Sequence, residues 1–154
     1  MKLECKEYQE GDYEKYIREL TKTNMYELFK KNFGGWSNQV SDKKFQNIIN
    51  DPTGKVNLFF AEDLFVGYVS FNEERNQKNS YLINDIHIEK KFQQQGHGTT
   101  ILNNTIEQIK KLGANQVKVF VFLDNPAVEF YKQNEFKEVE KLEKSNSIVM
   151  VRLI

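Results

Sequence analysis

The sequence predicts a single α/β (α+β) domain spanning residues 1–154, with helices packed on a sheet. Three observations carry that prediction. The spacing of apolar residues switches repeatedly between a period of two and a period near 3.6. Glycine and polar turn residues fall where the period switches. The resulting order, β α α β β β α β α β β, fits the length of one core.

The elements follow in order. Leu3 and Cys5 alternate with charged residues and predict a first strand. Cys5 is read there as a small buried apolar group. From Asp12, a candidate N-cap, Tyr13, Tyr16, Ile17 and Leu20 fall at helical spacing. A second helical stretch carries Met25, Leu28 and Phe29, and Phe33-Gly34-Gly35-Trp36 breaks it. Ser41 is expected to cap a short helix with Phe45, Ile48 and Ile49, ending before Asn50-Asp51-Pro52-Thr53-Gly54.

Residues 56–61 and 64–71 read as strands of a hairpin that turns at Glu62-Asp63. Residues 73–79 are a polar, solvated loop. Residues 81–88 form the next strand. A helix over residues 98–112 carries Ile101, Leu102, Thr105, Ile106, Ile109 and Leu112 on one face, with Gly113 at its C-terminal turn. Residues 117–122 are nearly all apolar, as a strand covered on both faces would be. A helix over residues 126–133 starts at Pro126. Residues 136–142 and 148–153 close the domain as antiparallel strands.

Composition narrows the function. The chain has 22 basic and 22 acidic residues and a formal net charge of +0. Such a balance gives no reason to expect nucleic acid or an anionic membrane as partner. One cysteine cannot form an internal disulfide, which suits a reducing, cytoplasmic setting. Neither a signal peptide nor a bilayer-spanning run is expected. The two histidines and the cysteine are too scattered for metal-ligand spacing, so no metal is expected.

Residues 86–99 organise the chain. They read as the end of a buried strand, a polar loop, two glycines one residue apart, and the start of a helix. The first N–H groups of a helix lack intrahelical partners, and the helix dipole makes that end partly positive. An anion can accept those bonds, and Gly96 and Gly98 let backbone come close to it. The same pattern also serves as a plain tight turn. Two familiar nucleotide fingerprints do not fit. Ile101 stands where the dinucleotide pattern needs a third glycine, and Gly98 is followed by Thr99-Thr100 rather than Lys-Ser/Thr.

Gln93-x-x-Gly96-x-Gly98 resembles the Gln/Arg-x-x-Gly-x-Gly/Ala signature of the Gcn5-related N-acetyltransferase (GNAT) family. Asn125-Pro126-Ala127-Val128-Glu129-Phe130-Tyr131 resembles the Asn-x-Ala-x-x-x-Tyr element of that family. The resemblance implies a mixed, mainly antiparallel central sheet with helices on both faces, whose strands part to form a CoA cleft. It implies acetyl-CoA as cosubstrate and transfer to an amine of a small molecule or a peptide. A homodimer is a compatible assembly. The loop amides of Gln93, Gln94, Gln95, Gly96, His97, Gly98 and Thr99 would hold the pyrophosphate, with His97 at the solvent rim. The cleft would open between the strand ending at Ile88 and the strand ending near Phe122.

The implied chemistry assigns roles. The backbone at Ile86 and Ile88 would face the thioester and the pantetheine arm, a carbonyl-polarising N–H lying near Ile88. Asn125 would bond that arm or cap the next helix. Tyr131 is either the acid for the departing thiolate or a core ring packed on Phe130 or Phe136. Asp85 and His87 share a strand face and either is a candidate base, or else Asp85 orients a loop and His87 is a satisfied, partly buried imidazole. Trp36 either lines the acceptor site or packs into the core. Two departures from the pattern stand out. Glu135 replaces the glycine four residues after the tyrosine, which shifts the expected left-handed residue to Asn134. Lys90 stands where proline is common. An acyl-CoA-binding sensor and a generic nucleotide-binding domain are the competing readings.

Overall fold

The computed structural model describes residues 2–154. Its elements are β1 (Glu4–Glu7), α1 (Arg18–Phe33), α2 (Asn38–Asn50), β2 (Lys55–Ala61), β3 (Leu64–Glu73), β4 (Ser80–Ile88), α3 (His97–Lys111), β5 (Gln116–Phe122), α4 (Ala127–Gln133), β6 (Lys137–Leu142) and β7 (Ser147–Leu153). The strands form one sheet in the order β1-β2-β3-β4-β5-β7-β6. Every pairing is antiparallel except β4 with β5. Among the described residues no helix is long and apolar enough to cross a membrane.

The two-residue period of the strands divides the core. Leu58 and Phe60 join Ile17, Leu20, Phe45 and Tyr68 beneath α1 and α2. Phe59 between them points the other way, to Ile101, Leu102, Ile106 and Ile109 of α3 and Val128 of α4. Helices therefore cover both faces of the sheet, as expected.

Several local expectations are corrected. Tyr13–Ile17 is a π-helical turn that runs directly into α1, so the two predicted helical stretches are one. Asp12 does not cap it, because its carboxylate accepts from the Gln9 N–H instead. Ser37 rather than Ser41 caps α2, through its hydroxyl and the Val40 N–H at 3.2 Å. Cys5 is exposed, since β1 is an edge strand with every residue open to solvent. Leu112 is also exposed, lying past the last turn of α3. The Glu62-Asp63 turn puts both residues at positive φ, the geometry of a type I′ hairpin made without glycine.

Two irregularities position the site. The first is in β4. Phe71 pairs with Ile83 and Ser70 pairs with Asp85, so Asn84 is an extra residue in the ladder. Such a bulge bends its strand and increases the local twist. The second is the separation of β4 from β5. They pair only from Ser80–Gln116 to Leu82–Lys118. Beyond that point β4 runs on to Ile88 and β5 to Phe122 with an open gap between them.

Candidate active site

The gap exposes backbone. Glu89 donates its N–H to the Val66 carbonyl on β3 at 2.8 Å. Successive residues of a strand turn their N–H groups to opposite edges. Ile88 and Ile86 therefore turn theirs toward the gap, where β5 offers no ladder. The Ile88 carbonyl on that edge accepts from Gln93 Nε2 at 3.0 Å and Asn24 Nδ2 at 3.3 Å. The Ile86 and Ile88 side chains pack on the α3 side of the sheet.

The loop after β4 delivers α3 with its N-terminus free. Gln94 and Gly96 have φ of 59° and 84°, and their left-handed turns reverse the chain. Gln93, Gln94, Gln95 and Gly96 are exposed. Gln95 Nε2 braces the loop on the Lys91 carbonyl at 2.9 Å. No side chain caps α3, so the first amides, from His97 through Thr99, keep their donors for a ligand. A Cβ at Gly96 would meet nothing within 4 Å. One at Gly98 would lie 3.2 Å from the Phe130 ring, so Gly98 allows α3 and α4 to pack closely. His97 is not at the rim. It is buried edge-on to Phe92, ring centres 6.0 Å apart, and its Nε2 has no hydrogen-bond partner among the described residues. The helix's first turn points it inward, which the flanking glycines did not reveal.

On the opposite face of β4, Asp85 and His87 meet. His87 Nε2 lies 3.3 Å from Asp85 Oδ1, and Ser70 Oγ donates to Asp85 Oδ2 at 3.1 Å. Asn24 Nδ2 lies 3.3 Å from His87 Nδ1. An amide N–H₂ can only donate, so this contact assigns Nδ1 as acceptor and the ring proton to Nε2. Burial alone would raise the Asp85 carboxyl. The His87 hydrogen bond, the Lys44 charge and the Ser70 hydroxyl outweigh it and hold the carboxyl below its usual value.

Beyond the gap, Asn125 Oδ1 accepts from the Ala127 N–H at 2.9 Å, so this side chain caps α4. Tyr131 is buried, with Phe130 and Phe136 each edge-on at 5.2 Å. Burial and then the Asp85 charge push its phenol far above the ordinary value. The left-handed residue after α4 is Glu135 itself, at φ 70°, and not Asn134. The Asn134 side chain is instead tied to the Phe130 carbonyl at 2.8 Å.

A cavity of about 640 Å³ opens on the Asp85 side, between α1, α2 and the parted strands. Ile17, Thr21, Met25, Phe29 and Phe33 line it at steps of four along one helical stripe. Ile17, Met25 and Phe29 of that stripe fall at helical spacing in the sequence, while Phe33 belongs to the predicted helix break. Trp36 lines the cavity as well, edge-on to Phe29 at 5.2 Å. Asn84 was missed because the bulge turns it onto the same face as Asp85. Phe120 also faces the cavity and is 54% exposed, so the cavity face of β5 is incompletely covered.

Residues 21–153 match the model of the acetyltransferase (GNAT) domain. The chain belongs to the GNAT acetyltransferase family. Its GNAT domain is 29% identical over 130 residues to an uncharacterised N-acetyltransferase of Methanocaldococcus jannaschii, covering 82% of this chain and 55% of that protein. The chain thus spans about half the length of this curated relative. Solved GNAT structures share the fold. The PaiA N-acetyltransferase of Thermoplasma acidophilum, in complex with coenzyme A, superposes at TM-score 0.75 and 18% identity over 100% of both chains. An acetyltransferase from Thermus thermophilus gives 0.78 at 17% identity, covering 100% of this chain and 98% of that one. A variant of the spermidine N-acetyltransferase of Vibrio cholerae gives 0.74 at 20%, covering 98% and 93%.

Proposed function

We propose that this GNAT domain transfers an acetyl group from acetyl-CoA to the primary amine of a small molecule or peptide, directly, with both substrates bound. One observation carries the reading. The gap between β4 and β5 joins an uncapped helix N-terminus on one side of the sheet to a carboxylate-floored cavity on the other. The named activity of the spermidine N-acetyltransferase neighbour is consistent with a small amine acceptor.

The residues present fit acetyl-CoA. The free amides of His97, Gly98 and Thr99 and the open space over Gly96 suit a pyrophosphate. The gap-facing N–H groups of Ile86 and Ile88 suit the pantetheine arm and the thioester oxygen, where charge develops during acyl transfer. Bound there, acetyl-CoA supplies the activated acyl carbon.

Each side chain then has a task. The ionised Asp85 carboxylate attracts the acceptor's ammonium to the cavity floor. Being held low, it is a weak base, so it relays the released proton to water rather than keeping it. The Nε2–H of His87 fixes the carboxylate's orientation. The Tyr131 phenol, pushed far up, stays protonated at every physiological pH. A thiol has an ordinary pKa near 8.5, so Tyr131 stabilises the departing thiolate by a hydrogen bond without giving up its proton. Asn125 holds the start of α4, from which Tyr131 projects.

A second reading keeps binding but not catalysis. It is favoured by one observation, that Asp85 is held low and both ring nitrogens of His87 are engaged. Release of free thiol from acetyl-CoA, followed across polyamines, aminoglycosides, amino acids and peptides, separates the two. Turnover with any amine supports transfer. Tight CoA binding with no turnover across the panel supports a sensor.

A further inference from the structure

The cavity on the Asp85 side restricts which amine can enter. Eight of its lining side chains are aromatic, among them Phe29, Trp36, Tyr68 and Phe122. Among the described residues Asp85 is the only carboxylate that lines it, and Lys44 the only cation. Two acidic groups next to lining residues in the chain are already matched. Asp42 takes a two-point contact from Arg18, at 2.9 and 3.0 Å, besides the Tyr13 hydroxyl. Asp124 is paired with Lys31 at 2.9 Å and accepts from Asn32 at 3.2 Å. Lys44 itself has no ion-pair partner among the described residues and lines the same cavity as Asp85.

We propose that the acceptor is a monoamine, one ammonium on an aromatic-sized apolar body, and that Lys44 excludes polyamines from the cavity. The inference rests on the acetyl-transfer reading for its chemistry. The single ammonium would sit against Asp85, and aromatic faces would offset part of its lost hydration. The apolar body would fill the space between Phe29, Trp36 and Phe122. A second ammonium held within the cavity finds no second carboxylate among the described lining residues and meets the Lys44 charge. A buried charge without a partner is strongly disfavoured, and a like charge beside it adds to the penalty. In the reaction the amine nitrogen forms the bond to the acetyl carbon as the carbon–sulfur bond breaks. Nitrogen gives up two protons in passing from ammonium to amide, one before it attacks and one after, both leaving through Asp85 to water, and the thiolate takes one proton from solvent.

The test compares phenethylamine and tryptamine with spermidine, using the intact chain and acetyl-CoA. We expect kcat/KM for the arylalkylamines to exceed that for spermidine by about tenfold or more, equivalent to ~1.4 kcal/mol. Lys44→Glu should move the spermidine-to-phenethylamine ratio toward spermidine by about tenfold. Lys44 is exposed, so the variant should fold. A wild type that prefers spermidine, or a ratio unmoved by Lys44→Glu, overturns the proposal. A second readout does not need catalysis. Trp36 is the sole tryptophan and lines the cavity, so its fluorescence reports amine binding directly. If no amine is acetylated, the transfer reading fails by itself. The fluorescence titration then still decides the inference, which stands if phenethylamine binds more tightly than spermidine and falls if it does not.

Discussion

Removing the hydroxyl of Tyr131 tests the catalytic geometry most directly. In Tyr131→Phe the ring keeps its edge-on contacts with Phe130 and Phe136, both at 5.2 Å. The hydroxyl has no hydrogen-bond partner affecting its titration, only burial and the Asp85 charge, so its loss leaves no protein group unsatisfied. Stability should therefore stay within about 0.5 kcal/mol of the parent. The transition state is another matter. A hydrogen bond to a charged group contributes about 1.5–3 kcal/mol, and each 1.4 kcal/mol is about tenfold, so the loss should be roughly 10²-fold in rate. Acetyl-CoA affinity should change by no more than about threefold, because the interaction forms only as the thiolate departs. Rapid-mixing single-turnover kinetics isolates the chemical step from product release. With the phenol pushed far up, the parent should also show no alkaline loss of rate from Tyr131 below about pH 10. A Phe variant with the full single-turnover rate would refute the reasoning and make Tyr131 a packing residue.

Gly98→Asp should lower CoA affinity by at least about tenfold, since it adds negative charge at the α3 N-terminus and a Cβ 3.2 Å from Phe130. Gly98→Ala separates the two effects by calorimetry, and an aspartate variant with parental affinity would remove the loop from the site. Asp85→Asn should weaken amine binding and slow transfer, with His87→Ala altering the acid limb of the rate profile. If both variants keep the parental rate and profile, neither residue handles the proton. Asp85 also has a stability signature. Its folded pKa lies below its unfolded one, near 3.9, so its stabilisation is present above that pH and is lost as pH falls through the folded value. Urea midpoints of Asp85→Asn should therefore begin to converge on those of the parent only as pH falls below about 4, and meet them below the folded pKa. Gly67→Ala should destabilise the domain by about 3 kcal/mol, because its Cβ would overlap the His87 carbonyl oxygen and force β3 from β4. An unchanged urea midpoint would contradict that close approach.

The properties that short stretches decide by themselves were legible in the sequence. The apolar periods of β2, β3 and α3 reflect which side chains share a face, and that depends only on backbone geometry. The Gly96 loop was legible because a left-handed residue ahead of an uncapped helix favours glycine. The approach of Asp85 to His87 follows from the two-residue period, and the structure places them in contact at 3.3 Å. What required the tertiary structure depends on neighbours remote in sequence. Asn84 joins Asp85 at the cavity only because β3 pairs on either side of it and leaves it unmatched. β4 and β5 part after Leu82 and Lys118 because the bulged strand bends away, and no local propensity in either strand encodes that separation. Cys5 is exposed because its strand lies at the sheet edge, and His97 is buried because α3 turns it onto Phe92. The stripe from Ile17 to Phe33 has the apolar spacing of a core-facing helix. Whether it meets a core or a cavity is decided by what lies opposite, and here β4 and β5 have drawn apart and a cavity lies between.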